Sequence, residues 1–279
     1  RLLLEEDPLV WVAGRKRASS IAIWLLVAAG IGFCLIAATG SGPALIHASW
    51  LFGAFYLLHA AIKILIAWDA GRRFVNDRES GALELLLCTP VEARGIWRSW
   101  LVGLKRTYLL PMAVLALVEF LVLVAGMDDM GWWRAEGVWG AAFAAGLGLF
   151  IADSYAVSWM GVWQGLVARN STRACLKTMG LVLAAPGAVA FGLLGLAGLL
   201  GGPNNLPLGW LLLGWFVFSL GADFAACGHA MLKLNNEFRA AAAKASGPGG
   251  KHARWRTAHK AANREDGRLR PARRSVAGW

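Results

Sequence analysis

Residues 178–222 read TMGLVLAAPGAVAFGLLGLAGLLGGPNNLPLGWLLLGWFVFSLGA, 45 consecutive residues without a formal charge. A helix needs about 20 apolar residues to cross the hydrocarbon core of a bilayer, so this run is too long for one crossing. Inside it, Gly201-Gly202-Pro203-Asn204-Asn205-Leu206-Pro207 is turn chemistry. The run therefore divides into two spans, 178–200 and 207–229. Strands of a membrane barrel would alternate polar and apolar residues over about 10 positions. Stretches such as Leu25-Leu26-Val27-Ala28-Ala29 do not alternate. Because every backbone N–H and C=O must find a partner inside lipid, the spans are helices.

The same reading extends outward. Residues 18–46 carry no charge, and a first span falls at 20–40, ended by Gly40-Ser41-Gly42-Pro43. Further spans fall at 48–68, 107–127 and 138–160. Composition agrees: 57% of the 279 residues are hydrophobic and 16% are charged, against about 45–50% and about 25% in soluble domains. The expected fold is an all-α membrane protein with six transmembrane helices over 20–235, an amphipathic N-terminal segment over 1–19 and a basic, disordered tail over 236–279. Beginning at Arg1 and not Met, the sequence reads as a fragment or the second half of a longer protein. Its first apolar run is too long for the core of a signal peptide.

The net charge of +11 is explained by position. Four Lys or Arg precede the first span, seven lie in 69–106, three in 164–177 and twelve after 229; the alternate loops hold one, Arg134, and Lys63 lies within a span. The positive-inside rule puts both termini and the basic loops in the cytoplasm, as an even number of spans requires. The asymmetry accounts for the charge without nucleic acid. Trp132, Trp133 and Trp139 suit the outer headgroup level, and Trp97 and Trp100 the inner one. The basic tail suits anionic lipid headgroups. Cys34, Cys88, Cys175 and Cys227 are scattered and read as free or buried thiols.

The 69–106 loop is far longer than the outer loops and carries the most information. Over Asn76-Asp77-Arg78-Glu79-Ser80-Gly81-Ala82-Leu83-Glu84-Leu85-Leu86-Leu87-Cys88-Thr89-Pro90, the spacing predicts a short helix with Leu83, Leu86 and Leu87 on one face. Asn76 and Glu79 form a capping pair, and Pro90 stops the helix at Thr89. A second helix, 90–106, starts with Thr89 as its cap and Glu92 at its third position, and lies in the membrane interface. The short helix is either an interfacial element packed on lipid or a handle by which a soluble partner moves the spans on either side.

The string from Asp77 to Pro90 resembles the signature between the second and third spans of ABC transporter type-2 permeases. Glu79, Gly81, Leu83, Glu84, Leu85, Leu86, Leu87, Thr89 and Pro90 match that pattern, with Ala82 in place of Thr and Cys88 in place of Ser. Glu6-Asp7-Pro8-Leu9-Val10-Trp11 with Arg15-Lys16-Arg17 resembles the family's N-terminal elbow helix, with Asp7 where Asn is usual. The resemblance implies that Glu79, Gly81, Leu83, Glu84, Leu86, Leu87, Thr89 and Pro90 form a coupling helix docked on a separate ATPase subunit. It also implies an exporter permease that works as a pair with a second copy or a sibling half, in the bacterial inner membrane. ATP and magnesium would sit on the partner. No G-x-x-x-x-G-K-[ST] loop occurs in this chain: Gly250-Lys251 is followed by His252. The chain is thus expected to be a transport subunit, without enzyme activity or cofactor of its own and without a nucleic-acid partner.

Lys63, Glu119, Asp153 and Asp223 are ionisable residues at membrane depth, and His59 lies one turn from Lys63. Such groups face a bundle interior, a cavity or a partner. A pair of Lys63 with Asp153 or with Asp223 would either gate a polar path or lock the bundle, and Glu119 is left without a partner. These residues support a rival function, an ion-coupled secondary transporter, whose helices would break near the midplane; Pro186-Gly187 is the one place for such a break. An intramembrane enzyme has less support. Thr39-Gly40-Ser41-Gly42 lacks the first glycine of a hydrolase elbow, and His47 and His59 do not make a zinc motif.

Overall fold

In the computed structural model, residues 17–39, 48–89, 92–128, 138–189, 192, 195 and 208–245 are described. The elements are α1 (Arg17–Thr39), α2 (Ala48–Glu79), α3 (Ala82–Cys88), α4 (Ala93–Asp128), α5 (Val138–Val167), α6 (Ser171–Met179), a π-helical stretch (Gly180–Ala184) that continues as α-helix over 185–189, and α7 (Leu208–Ala245). Among the described residues there is no strand.

Among the described residues five helices, α1, α2, α4, α5 and α7, are long and apolar enough to cross a membrane. Their outer faces carry large apolar side chains, such as Leu57 at 70% and Phe224 at 72% exposure, a surface that lipid tolerates and water does not. Only part of the expected fifth span, 178–200, is described, through the end of α6, the π-helical stretch, 185–189, 192 and 195. Residues 1–16 of the expected elbow segment 1–19, Pro90, Trp132 and Trp133, and the tail from 246 onward lie outside the described residues, while 17–19 are the first residues of α1.

Three expectations about boundaries are corrected. First, α2 does not stop near 68 but continues to Glu79. Asn76 and Glu79 are the end of this long helix, so they do not cap a new one. Second, the expected interfacial helix 90–106 and the span 107–127 form one continuous helix, α4, with Pro111 inside it. Its apolar face is turned into the bundle: Ile96, Leu101 and Leu104 are buried, Trp97 packs on Trp159 at 5.2 Å and Trp100 on Phe74 at 5.5 Å. Arg94, Arg98, Lys105 and Arg106 stay outside. Third, residues 236–245, expected in the disordered tail, are helical as the end of α7. The missed signal is a four-residue apolar spacing: Phe238 and Ala242 are both buried, and Phe238 meets Phe74 edge-on at 6.1 Å.

At 1.5 Å per residue, α2, α4 and α7 are about 48, 54 and 57 Å long and overreach a hydrocarbon core of about 30 Å. Their extensions meet at the basic end of the bundle. α5 is the hub, packed against both α2 and α7, while α6 packs on α2 and α5, and α1 on α4 and α2. The α2–α5 crossing is backbone to backbone. A Cβ placed on Gly165 would lie 2.7 Å from the Gly71 carbonyl oxygen and 2.9 Å from Gly71 Cα; one on Gly161 would lie 2.7 Å from Ala70 Cβ. Gly161 and Gly165 are one turn apart on α5, the small-xxx-small arrangement that brings membrane helices close.

Candidate functional site

Where α2, α4, α5 and α7 face each other, the bundle buries charge. His59 and Lys63 are one turn apart on α2 and so point to the same side. The Lys63 ammonium donates to Asp153 Oδ2 on α5. His59 Nε2 lies 2.6 Å from Glu119 Oε1 on α4, without hydrogen-bond alignment, and its ring stacks on Phe150 at 4.0 Å and 11°. Of the two pairings open for Lys63, the structure has the one with Asp153. The expectation that Glu119 is left alone is corrected, because the fold brings His59 of α2 to it.

Asp223 on α7 is 3% exposed, and neither carboxyl oxygen has a hydrogen-bond partner. It lies in direct reach of the Asp153 carboxyl and in the field of Lys63. Ser219, one turn earlier on α7, is also buried with an unpartnered hydroxyl.

A cavity of about 50 Å³ opens onto this cluster. Its polar lining is His59, Lys63, Glu119, Asp153 and Ser219, and its apolar walls include Phe55, Phe143, Val182, Pro186 and Trp215. That is space for a few water molecules beside polar partners. The π-helical stretch lies against it. Proline at 186 cannot donate to the carbonyl at 182 and its ring crowds that position; widening the preceding turn, Gly180–Ala184, accommodates it. At Pro186-Gly187, the candidate place for a break under the secondary-transporter reading, the chain does not break: it is helical over 185–189, with the π-helical turn just before it.

The expected coupling residues lie about the turn between α2 and α4. Gly81 adopts φ 77°, ψ 0° between α2 and α3, a left-handed conformation that glycine takes without strain. Thr89 ends α3, its hydroxyl donating to the Leu86 carbonyl at 2.6 Å; it caps this helix and not the following one. The face of Leu83, Leu86 and Leu87 is turned into the bundle, and not toward lipid or a soluble partner as either expectation for this helix requires. Leu83 is 1% exposed, and Leu86 and Leu87 pack against the core. The residue open to a partner is Leu85, 73% exposed, flanked by exposed Glu79, Ser80, Cys88 and Thr89 and by partly exposed Glu84. A face with three leucines is attractive to the bundle, and α3 packs on α2 and α7.

Sequence reading missed a second buried pair. Asp69 and Arg73, counted among loop residues, form an i, i+4 ion pair within α2 at 2.8 Å. Arg73 is 2% exposed, with its guanidinium 5.7 Å from the Trp100 ring centre. The four-residue spacing was visible, but it is informative only once this segment is known to be helical.

Comparison of the chain with protein-family models, curated proteins and solved structures finds no match.

Proposed function

We propose that the chain is the membrane-spanning permease subunit of an ATP-binding-cassette exporter, multi-pass in a bacterial inner membrane with both termini in the cytoplasm. It is driven by a separate ATPase chain that holds ATP and magnesium. A second copy or a sibling half completes the transport path. The observation that carries this reading is the build of α3. It is a seven-residue helix between two long helices, anchored by Leu83 on one side and presenting Leu85 on the other. The anchored side supplies stiffness and the open side supplies a grip. A push on Leu85 and its acidic and polar neighbours passes through Gly81 into α2, and across the α2–α5 crossing into the wall of the charged cavity. The sequence pattern from Glu79 to Thr89 supports the same assignment.

Purification of the intact chain from its native membrane tests it. An ATPase subunit should co-purify, and Leu85→Asp with Glu79→Arg should lose it while leaving the chain folded. Retention of the ATPase by that variant, or its absence from the intact chain, overturns the reading.

A second reading is favoured by one observation, the buried set of Lys63, Asp153 and Asp223 beside a cavity: an ion-coupled secondary transporter. Ion-driven uptake into vesicles holding the chain alone separates the two.

A further inference from the structure

We propose that the carboxyl groups of Asp153 and Asp223 bind one shared proton, with Lys63 as their fixed counter-charge. This deepens the ion-coupled reading, on which any transport role of the proton rests; the binding itself needs only the buried geometry.

Two observations carry it. The first is the charge count. Asp153 and Asp223 are both buried and bring two negative charges to one ammonium, that of Lys63. Uncompensated charge is strongly disfavoured in a low-dielectric interior. The other neighbours do not correct the balance. From α2 and α4 come His59 and Glu119, already in contact with each other. On α7 itself the nearest titratable group is Cys227, one turn on, a thiol that brings no positive charge.

The second observation is hydrogen bonding. Asp223 faces the Asp153 carboxyl, yet both its oxygens lack partners. Two ionised carboxylates are acceptors only, so no hydrogen bond can form between them. One proton turns either into a donor. It removes the excess charge and satisfies the orphaned oxygens at once, as when two carboxyl groups share a site. The titration belongs to the pair and not to either residue.

Among the described residues no three His, Cys, Asp or Glu side chains gather to hold a metal ion; an alkali cation on the same carboxyl oxygens is the rival occupant, and the sodium arm of the test separates it from the proton.

The route follows from the lining. Asp153 borders the cavity, as does Ser219, whose buried hydroxyl is unpartnered one turn from Asp223. Water there delivers the proton: an O–H bond forms on one carboxylate oxygen as the O–H bond of a hydronium breaks, and release reverses the step. No electron is transferred.

Infrared spectroscopy of the full chain in lipid nanodiscs tests this through the carbonyl stretch of an un-ionised carboxylic acid. At neutral pH the wild-type chain should show one such band, shifted in heavy water. Asp223→Asn, which keeps the side-chain shape and can donate to Asp153, should abolish it and leave the chain monodisperse. Replacing sodium by potassium should not change it. A wild-type chain without the band overturns the proposal, as does a band that survives in Asp223→Asn or one that is lost only in Glu119→Gln. A band that appears only when sodium is withdrawn also overturns it, in favour of a metal-cation site. Ion-driven uptake is scored independently, so failure of the proton pair and failure of the transporter reading are told apart.

Discussion

Arg78, in the last turn of α2, donates from Nη2 to the Ala168 carbonyl just beyond α5 at 2.9 Å. The same nitrogen reaches the Arg169 carbonyl at 2.9 Å, and Nη1 reaches Leu166 at 3.4 Å. A cation at a helix C-terminus satisfies carbonyls that have no partner within the helix and opposes the helix dipole. Three residues from this contact the chain turns at Gly81 into α3. Arg78 therefore ties the base of the short helix to the hub of the bundle.

Removing the tie should cost more than removing a surface charge. Hydrogen bonds from charged groups contribute about 1.5–3 kcal/mol each in favourable settings; partial exposure of Arg78 puts the expected loss for Arg78→Ala near the lower value. Arg78→Lys, with no fork to span several carbonyls, should recover less than half. Thermal unfolding in detergent measures both, and a loss as small as that of Arg94→Ala would remove the strut from the account.

The α2–α5 crossing makes a size prediction. Gly165→Ala drives a methyl into the Gly71 backbone, which cannot move as a side-chain end can. Overpacking of this kind costs about 1–3 kcal/mol. Gly214→Ala, with nothing within 4 Å of the added Cβ, should be neutral or slightly stabilising because alanine favours helix. Equal effects at the two positions would show that the crossing is looser than described.

The Lys63–Asp153 pair predicts non-additivity. Breaking a buried ion pair on one side leaves a charge behind and costs about 3–5 kcal/mol. Lys63→Met, which strands two carboxyl groups, should destabilise strongly; Asp153→Leu leaves Asp223 as counter-charge to Lys63 and should cost less; the double variant should lose less than the sum. A double-mutant cycle gives the coupling, and strict additivity would mean that the two side chains do not meet.

Thiol labelling checks the orientation of α3. Cys88 is exposed at its end, whereas Cys175 on α6 is buried and its thiol is pushed up by that burial. The thiolate is the nucleophile. A maleimide should therefore modify Cys88 in the native chain and Cys175 only after unfolding, and raising the pH should narrow the gap. Under the permease reading, an impermeant reagent reaches Cys88 from the cytoplasmic side alone. Native labelling of Cys175 at the rate of Cys88 would refute the packing of α6.

The core positions of five long helices were legible from hydropathy, since a run of about 20 mostly apolar residues is a property of the string itself. So were the short helix before Thr89 and the list of charges at depth. Local pattern determined these, because each depends on residues within a turn or two of one another. Only the tertiary structure decided which charge meets which: Lys63 with Asp153 across 90 positions, His59 with Glu119 across 60. It also decided that Leu83 faces inward and Leu85 outward. An apolar stripe states that a helix has a face but not what covers it, and that cover comes from α2 just before it and from α7, far away in the sequence. The close approach of Gly71 to Gly165 has the same origin: a glycine records room for a neighbour, and the fold supplies the neighbour.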